Sequence, residues 1–231
     1  MDIKGSVALV TGANRGIGHA FARALLEHGA AKVYAAVRDP RSVTDPDLVP
    51  LRLDVTDEAQ AEAAAQVAGD VSVLVNNAGV GGGTTGLLSG SLDGAREAME
   101  VNFYGTWTVS RAFAPVLARN GGGAMVNMLS LASWTGRPDF PGYAASKAAQ
   151  WSLTDSLRQG LHGQGTLVVG VHCGFVDTDL SAWTDAPKIS AASVAELAMD
   201  ALAHNRYEVL ADEPTRSVKA ALSQPPAVSG A

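Results

Sequence analysis

Apolar, largely β-branched residues are gathered into short continuous runs along the chain. A continuous run, without the alternation of a strand that has one face in water, is typical of a parallel strand buried on both faces. These runs therefore predict strands. They lie at residues 7–10, 32–37, 51–55, 71–75, 124–129, 167–172 and 207–210.

Between these runs the apolar positions take the spacing of amphipathic helices. Helices are therefore predicted at residues 17–28, 56–68, 92–119, 143–161 and 193–203. The segment between the second and third strands contains Pro40, Pro46 and Pro50, so we expect at most one helical turn there. The alternation of strands and helices predicts an α/β protein, a doubly wound parallel sheet with helices on both faces.

Length and composition predict a single domain over residues 1–231 and narrow the function classes. Of the 231 residues, 47% are hydrophobic and 17% are charged, which is enough apolar surface for a large core. The net charge of −6, with no local basic patch, argues against nucleic acid as a partner. No run of ~20 apolar residues predicts a membrane span, and we expect a cytoplasmic protein.

Histidine and cysteine offer no metal site in the sequence. The 5 histidines lack metal-ligand spacing, and Cys173 is the single cysteine, so neither zinc chemistry nor an internal disulfide is expected. The tail at residues 224–231 is expected to be frayed.

A glycine-rich turn links the first predicted strand to the first predicted helix. The sequence TGANRGIG places Gly12, Gly16 and Gly18 where the strand ends and the helix begins. Glycine lets backbone amides approach a phosphate, and the helix N-terminus adds a favourable dipole. We interpret the turn as a pyrophosphate site; a tight strand–helix turn without a ligand is the alternative.

Further motifs follow in a fixed order. NNAG comes after the fourth strand at residues 76–79, Asn102 lies in the next helix, Ser130 follows the fifth strand, and YAASK spans residues 143–147. With TGANRGIG, these motifs resemble the compact branch of the short-chain dehydrogenase/reductase family over roughly residues 5–210. The resemblance implies a Rossmann fold that binds a nicotinamide dinucleotide. Where the family usually has Pro-Gly after the sixth strand, this chain has Cys173 and Gly174.

The resemblance also implies which residues contact the cofactor. The implied set is Gly12, Asn14, Arg15, Gly16, Ile17, Gly18, Arg38, Asp54, Val55, Asn76, Ala78, Gly79, Tyr143, Lys147, Gly174, Val176 and Thr178. Asp54 resembles the residue that bonds the adenine amino group, with a capping role before the next helix as the alternative. Val176 and Thr178 resemble the residues that bond the nicotinamide carboxamide.

The residues after the second strand predict which nicotinamide is used. Relatives that prefer NAD have an acidic residue at the end of this strand, which bonds the ribose 2′-hydroxyl. Here Val37 occupies that position and Arg38 follows, with Arg15 as a second cation on the same side. Two cations favour a 2′-phosphate and therefore NADP(H). If Asp39 reached the ribose instead, the preference would reverse.

Four side chains are assigned to the chemistry: Asn102, Ser130, Tyr143 and Lys147. Tyr143 and Lys147 are four residues apart and share a helix face, so we expect the ammonium, together with the positive charge of an oxidised nicotinamide, to lower the tyrosine pKa. Lys147 could also bond the nicotinamide ribose. Ser130 would hold the substrate carbonyl, and Asn102 resembles the residue that supports a water-linked proton path to Lys147.

These residues predict NADPH-dependent reduction of a ketone or aldehyde, with Tyr143 as the general acid. Oxidation of a hydroxylated metabolite or steroid is one alternative, and a binding protein that senses NADP(H) is another. The presence of all three of Ser130, Tyr143 and Lys147 argues against the binding protein.

The substrate side of the predicted site is aromatic. Trp134, Phe140 and Trp183, with the loop at residues 80–88, are candidates to line a pocket for a flat or bulky apolar carbonyl or alcohol. Packing in the core or at an interface is the alternative for each aromatic side chain. Because the family commonly assembles through its two long helices, a homodimer or homotetramer is expected.

Overall fold

A computed structural model describes residues 1–83 and 87–225 of the chain. Its strands form one seven-stranded sheet in which every paired strand runs parallel to its neighbour. The strands are β1 Val7–Thr11, β2 Lys32–Val37, β3 Val49–Arg52, β4 Val73–Asn76, β5 Ala124–Met128, β6 Leu167–His172 and β7 Glu208–Leu210. Of the predicted substrate loop and the predicted frayed tail, residues 84–86 and 226–231 lie outside the described residues.

The strands lie in the order β3-β2-β1-β4-β5-β6-β7, which confirms the predicted doubly wound sheet. The order reverses between β1 and β4. In folds of this kind, ligands bind in the crevice at the carboxyl ends of the strands, next to the reversal. The glycine turn and the NNAG motif both lie there, because one follows β1 and the other includes the end of β4.

Two strands lie away from their predicted bounds. The strand predicted at residues 51–55 lies at Val49–Arg52, where it pairs along β2. The strand predicted at residues 71–75 lies at Val73–Asn76, between β1 and β5. Pairing with neighbours therefore decides where these strands begin and end, and residue type alone does not reveal it.

Helices flank the sheet on both faces. They are α1 Gly16–Glu27, α2 Glu58–Val67, α3 Asp93–Ala98, α4 Thr106–Arg119, α5 Pro141–Gly160, α6 Ala191–Ala203 and α7 Glu213–Ala221. The single turn Pro40–Ser42 is the helical structure between β2 and β3, as the prolines predict. α7 is absent from the predicted helices; it begins after the cap Asp212, whose carboxylate accepts the Thr215 N–H at 2.9 Å.

A π-helical turn divides the helix predicted at residues 92–119. α3 ends at Ala98, Met99–Gly105 is π-helical, and α4 begins at Thr106. A Cβ at Gly105 would lie 2.7 Å from Cγ2 of Val55, so only glycine lets this wide turn approach the segment after β3. A π-turn keeps an approximately helical spacing of apolar residues, which is why the hydrophobic pattern does not distinguish it.

The two faces of the sheet are covered differently. On one face, α1 and α6 bury apolar side chains such as Phe21, Leu25 and Met199. On the other face, α2 and α4 bury residues such as Phe113 and Leu117, and α5 lies beside them. Among residues 1–83 and 87–225, no helix has both the length and the apolar character needed to cross a membrane.

Candidate active site

The glycine turn between β1 and α1 folds tightly against the end of β4. Gly12 has a positive φ of +67°, and a Cβ there would lie 3.3 Å from the Cα of Ala78. A Cβ at Gly18 would lie 2.2 Å from the carbonyl oxygen of Gly12, closer than any real contact. Glycine is therefore required at both positions, while residues 14–16 at the tip of the turn remain exposed.

Hydrogen bonds fasten the ends of β1 and β4 together. The Thr11 hydroxyl accepts from the backbone N–H groups of Asn77 at 2.9 Å and Ala78 at 3.0 Å. The Asn77 side-chain amide donates back to the Thr11 carbonyl at 2.9 Å. The two strands thus hold the glycine turn and the start of the next loop in a fixed relation.

The beginning of α1 fits the phosphates of a dinucleotide. Arg15, at its N-cap, makes no side-chain capping bond, so no side chain occupies the first amides of the helix from that position. A cavity of about 150 Å³ adjoins the turn and is lined mostly by polar residues. The lining residues are Ala13, Asn14, Arg15, His19, Val43, Thr44 and Asp45.

The charged residues after β2 differ in what they contact. The Arg41 guanidinium donates to both carboxylate oxygens of Asp39, at 2.9 and 3.0 Å, and these bonds hold the pKa of Asp39 below its usual value. Val37 is buried in the core. Arg38 is exposed, and no carboxylate in residues 1–83 and 87–225 pairs with it. The available charge at this end of the groove is therefore a cation.

Asp54 acts partly as a local turn residue. Its Oδ1 accepts from the backbone N–H of Thr56 at 3.1 Å and from the Thr56 hydroxyl at 2.8 Å. The cap of α2 is Asp57, which accepts from the Gln60 N–H at 3.0 Å. Asp57, and not Asp54, therefore caps α2. Val55, beside it, is buried.

Asp212 fixes the turn that follows β6. Its Oδ2 accepts the backbone N–H of Gly174 at 2.7 Å, so a carboxylate from the end of β7 holds the turn in which the proline is missing. Farther along, Thr178 faces the glycine turn, with its Cγ2 3.4 Å from the position of a Cβ on Gly16. The segment after β6 therefore closes the far side of the groove.

An ion pair crosses this groove. Arg15 Nη1 lies 2.9 Å from Asp179 Oδ2, and both side chains are largely exposed. The prediction placed Arg15 as a second cation beside Arg38, whereas the structure turns it toward the segment after Thr178. Arg38 alone therefore supports the predicted preference for a phosphate. Val176 is buried and forms a backbone bridge with Ile189, which anchors the same segment.

Ser130 and Tyr143 meet at the end of β5. The Ser130 hydroxyl accepts the Ala132 N–H at 3.1 Å, and Ser130 lies close to the Tyr143 side chain. Burial raises the pKa of Tyr143 to about 12, although Ser130 acts in the opposite direction. The predicted lowering of this pKa joins the Lys147 ammonium with the positive charge of an oxidised nicotinamide, and it stays a prediction for the protein with that dinucleotide bound. Tyr143 is protonated at neutral pH and can donate its proton.

Lys147 lies beneath Tyr143 in the body of the fold. It is 4% exposed, and its Nζ lies 5.9 Å from the centroid of the Tyr143 ring. The ammonium donates to the carbonyl of Met128 and to Oε1 of Gln150, both at 2.8 Å. Burial lowers the pKa of Lys147 to about 8, because the charged form loses its hydration.

Asn102 braces the loop that leaves β4. From the π-helical turn, its Oδ1 accepts the Val80 N–H at 2.8 Å and its Nδ2 donates to the Val80 carbonyl at 2.9 Å. Nδ2 also donates to the Ser146 hydroxyl at 2.9 Å. A Cβ on Gly79 would lie 3.0 Å from Asn102 Oδ1, so the loop passes directly over this side chain. No direct bond joins the side chain of Asn102 to Lys147.

The aromatic candidates separate into two groups. Trp183 packs against Phe140, with centroids 4.9 Å apart, and against Phe175 at 5.6 Å. Trp134 instead stacks on His172 at 3.9 Å and lies under Lys219 of α7. Trp134 is therefore a packing residue, whereas Phe140 and Trp183 remain candidates for substrate contact.

Comparison with known proteins gives the family. The family model for short chain dehydrogenase matches residues 6–188. The chain belongs to this family. It is 30% identical over 197 residues to a short chain dehydrogenase of Aspergillus terreus, an alignment that covers 78% of this chain and 43% of that protein. The chain thus spans less than half the length of this relative.

Solved structures of short chain dehydrogenases share the fold. A short chain dehydrogenase from Burkholderia cenocepacia J2315, in complex with NADP, has 37% identity and a TM-score of 0.92, covering 97% of this chain and 95% of that one. A 3-ketoacyl-(acyl-carrier-protein) reductase from Brucella melitensis, complexed with NADH, has 26% identity and a TM-score of 0.80. That match covers 87% of this chain and 91% of the reductase.

The structure of this short chain dehydrogenase brings Ser130, Tyr143 and Lys147 together as the motifs predict. Asn76 differs from its implied role at the cofactor. Its side-chain amide is buried and donates to Asn127 at 2.9 Å and Ser110 at 3.1 Å, so we place it in the interior. Sequence reasoning missed four residues of the site: Asn77, Gln150, Phe175 and Asp212. Asn77 belongs to NNAG, and Gln150 is a polar residue seven positions after Tyr143 on the same helix face, so both carried a readable signal.

Proposed function

We propose that the protein reduces a ketone or aldehyde to an alcohol with NADPH. The observation that carries the proposal is that Tyr143 lies beside Ser130 and over the buried Lys147, whose Nζ is 5.9 Å from the centroid of the Tyr143 ring, at the carboxyl edge of the sheet. When bound, the reduced dinucleotide would supply a hydride, which is a hydrogen with two electrons, to the carbonyl carbon. The residues that would hold it are those of the glycine turn, Arg38, and the turn after β6.

The chain's own residues handle the carbonyl oxygen. Ser130 donates a hydrogen bond to that oxygen and holds it beside Tyr143. Tyr143 then donates its phenolic proton, which its raised pKa keeps in place at neutral pH. Lys147 stabilises the phenolate that is left, because an ammonium nearby favours the charged form of its neighbour. A protonated tyrosine is the state needed for reduction, whereas oxidation of an alcohol would start from the phenolate.

NADPH is proposed over NADH because of the residues after β2. Arg38 is exposed and has no carboxylate partner among the described residues, whereas Asp39 is already bound by Arg41. A guanidinium recognises a phosphate by charge-assisted hydrogen bonds. The solved relative from Burkholderia cenocepacia holds NADP, which agrees with this choice.

The substrate is proposed to be a flat or bulky apolar carbonyl compound. Phe140, Phe175 and Trp183 form an aromatic cluster near the segment after β6, and aromatic walls suit such molecules. The cytoplasmic location and the assembly into a homodimer or homotetramer stay predictions from the sequence.

The proposal is tested by titrating the protein with NADPH and NADH and then assaying a panel of aromatic and aliphatic aldehydes and ketones. Tighter binding of NADPH, with turnover of apolar carbonyls, would support it. Tight binding of NADPH without turnover of any carbonyl or, with NADP, of any alcohol would favour a sensing protein instead. Turnover confined to alcohols would reverse the proposed direction.

A further inference from the structure

A chain of buried hydrogen bonds leads from Lys147 away from the cleft. Lys147 Nζ donates to Gln150 Oε1, Gln150 Nε2 donates to the Thr106 hydroxyl, and that hydroxyl donates to the backbone carbonyl of Asn102. Each of the three bonds is 2.8 Å long. All four residues are at least nine-tenths buried. The chain joins α5 to the π-helical turn that carries Asn102.

The far end of this chain fixes the direction of every bond in it. The Asn102 carbonyl can only accept, so the Thr106 hydroxyl must donate to it and present its lone pairs to Gln150. Gln150 therefore turns its NH₂ group toward Thr106 and its oxygen toward Lys147. A flipped amide would place its NH₂ group against the Lys147 ammonium and its oxygen against the lone pairs of the Thr106 hydroxyl. Both contacts are unfavourable in a buried site.

Lys147 has two of its three ammonium protons committed in this arrangement. One is accepted by Gln150 and the other by the Met128 carbonyl, both at 2.8 Å. The remaining side of Nζ lies near Gly79, where a Cβ would be 3.8 Å away, and near the Tyr143 ring. The lysine is thus left with one N–H on the side of the cleft.

We propose that Gln150 is a positioning residue, whose oriented amide oxygen stabilises the charged form of Lys147 and directs a single N–H of that lysine into the cleft. The consequence for turnover rests on the proposed reduction. The effect on Lys147 itself is a property of this chain and can be measured without any substrate.

The titratable groups that face Lys147 are uncharged at neutral pH, so the Gln150 amide is important for stabilising its ammonium. Tyr143 faces it from the same helix, His172 from β6, and Cys173 from the turn after β6. Burial keeps the Tyr143 and Cys173 pKa values at about 12 and lowers that of His172 to about 4, so none of the three is charged at neutral pH. No carboxylate among the described residues pairs with Lys147, so neutral dipoles stabilise its ammonium.

The test replaces Gln150 in two opposite ways and follows Lys147 by NMR in protein labelled with ¹³Cε-lysine, with Lys147→Arg used to assign its signal. Gln150→Leu removes an acceptor and should lower the Lys147 pKa by about one unit. Gln150→Glu places a carboxylate there and should raise it by about one unit or more. The pH profile of carbonyl reduction should shift in the same two senses. No shift, or shifts in one direction for both variants, would overturn the proposal even if the enzyme reduces carbonyls.

A matched control separates positioning from general damage. Thr154 lies on the same helix, is fully buried, and bonds to Asn127 and to the backbone of Gln150 without touching Lys147. Thr154→Val should leave the Lys147 pKa unchanged; a shift as large as that of Gln150→Leu would contradict the proposal.

A second pair of variants keeps the test decisive if changes at Gln150 prevent folding. Thr106→Val removes the group that orients the amide and should lower the Lys147 pKa by a smaller amount than Gln150→Leu. Thr106→Ser retains the hydroxyl and should restore the wild-type value. Equal pKa values in the two Thr106 variants would argue that the direction of the amide has no role.

Discussion

The buried layer beneath the cleft differs in construction from the rim of the cleft. We call this layer the floor; it consists of Lys147, Gln150, Thr106 and Asn102. The rim consists of Phe140, Phe175, Leu180 and Trp183. Lys147 is 4% exposed and every polar group of the floor has a partner within hydrogen-bonding distance. On the rim, Leu180 is 54% exposed and Trp183 is 58% exposed. The contacts of the rim are mainly between aromatic rings.

We expect the floor to govern the chemistry of the site and the rim to govern which substrates it accepts. A buried polar group without a partner is costly, so the floor tolerates few arrangements and holds the reacting groups in one geometry. Exposed apolar side chains lose little when they are exchanged, so the rim can change shape without loss of the fold. We therefore expect large, all-or-none effects of substitutions at the reacting groups and graded effects at the rim.

The largest effect is expected from Tyr143→Phe, which removes the proton donor and leaves the ring in place. Loss of a general acid lowers kcat by about 10²- to 10⁴-fold, while the Kd of NADPH should change little. Steady-state kinetics and a binding titration would check both values. Tyr207→Phe, at an exposed tyrosine that directly precedes β7, is the control and should keep its activity. Undiminished turnover in Tyr143→Phe would remove this residue as the acid.

The second-largest effect is expected at Arg38, the proposed partner of the NADPH phosphate. Arg38→Asp removes a cation and adds a repulsive charge, so the Kd and KM of NADPH should rise by about 10- to 100-fold, as for loss of a charged hydrogen bond. The values for NADH should change far less. Arg119→Asp, at another exposed arginine, is the control. Equal effects of Arg38→Asp on both dinucleotides would end its proposed role as the phosphate partner.

Gly18→Ala tests the glycine turn. The new Cβ would lie 2.2 Å from the Gly12 carbonyl oxygen. Because that oxygen belongs to the backbone and the position of a Cβ is fixed by the backbone of its own residue, relief requires the turn to move. We expect a loss of about 1–3 kcal/mol in the free energy of unfolding and weaker binding of NADPH. Gly160→Ala, where a Cβ meets nothing within 4 Å, should be neutral or slightly stabilising. Chemical denaturation of both variants measures the difference.

The smallest effect is expected at the rim. Trp183→Ala removes one member of an aromatic cluster. The binding free energy of an aromatic substrate should weaken by about 0.5–1.5 kcal/mol, so KM for bulky aromatic ketones should rise by about two- to tenfold with kcat nearly unchanged. Small aliphatic aldehydes should be unaffected. Trp107→Ala, at an exposed tryptophan of α4, serves as the control. A fall in kcat for every substrate would show that the rim takes part in the chemistry.

The sequence predicted the sheet well because its strands are buried on both faces and so are continuous in hydrophobicity. The ordered motifs predicted the meeting of Ser130, Tyr143 and Lys147. The π-helical turn could not be predicted, since its residues keep the spacing of an ordinary helix and the close approach of Gly105 to Val55 is a tertiary contact. α7 was missed because only Thr215 within it is buried, so it has almost no apolar face to recognise.

Side-chain directions were the least predictable part of the site. Trp134 follows Ser130 closely in sequence, yet its ring turns to His172 and α7, because packing partners on β6 and α7 decide its position. The pKa of Tyr143 shows the same limit of sequence reasoning. The helix spacing places Lys147 nearby, but it does not reveal how strongly burial raises the tyrosine pKa in the chain by itself.

The bond from Asp212 to Gly174 has a consequence for how the protein is made. The chain is synthesised from its N-terminus, and Gly174 emerges 38 residues before the carboxylate that holds it. The glycine turn and α5 precede both of them. The turn after β6 can therefore be held by Asp212 only once the segment after β7 has been made. Truncations that remove Asp212 should leave a protein whose early strands pair but whose turn after β6 lacks its anchor.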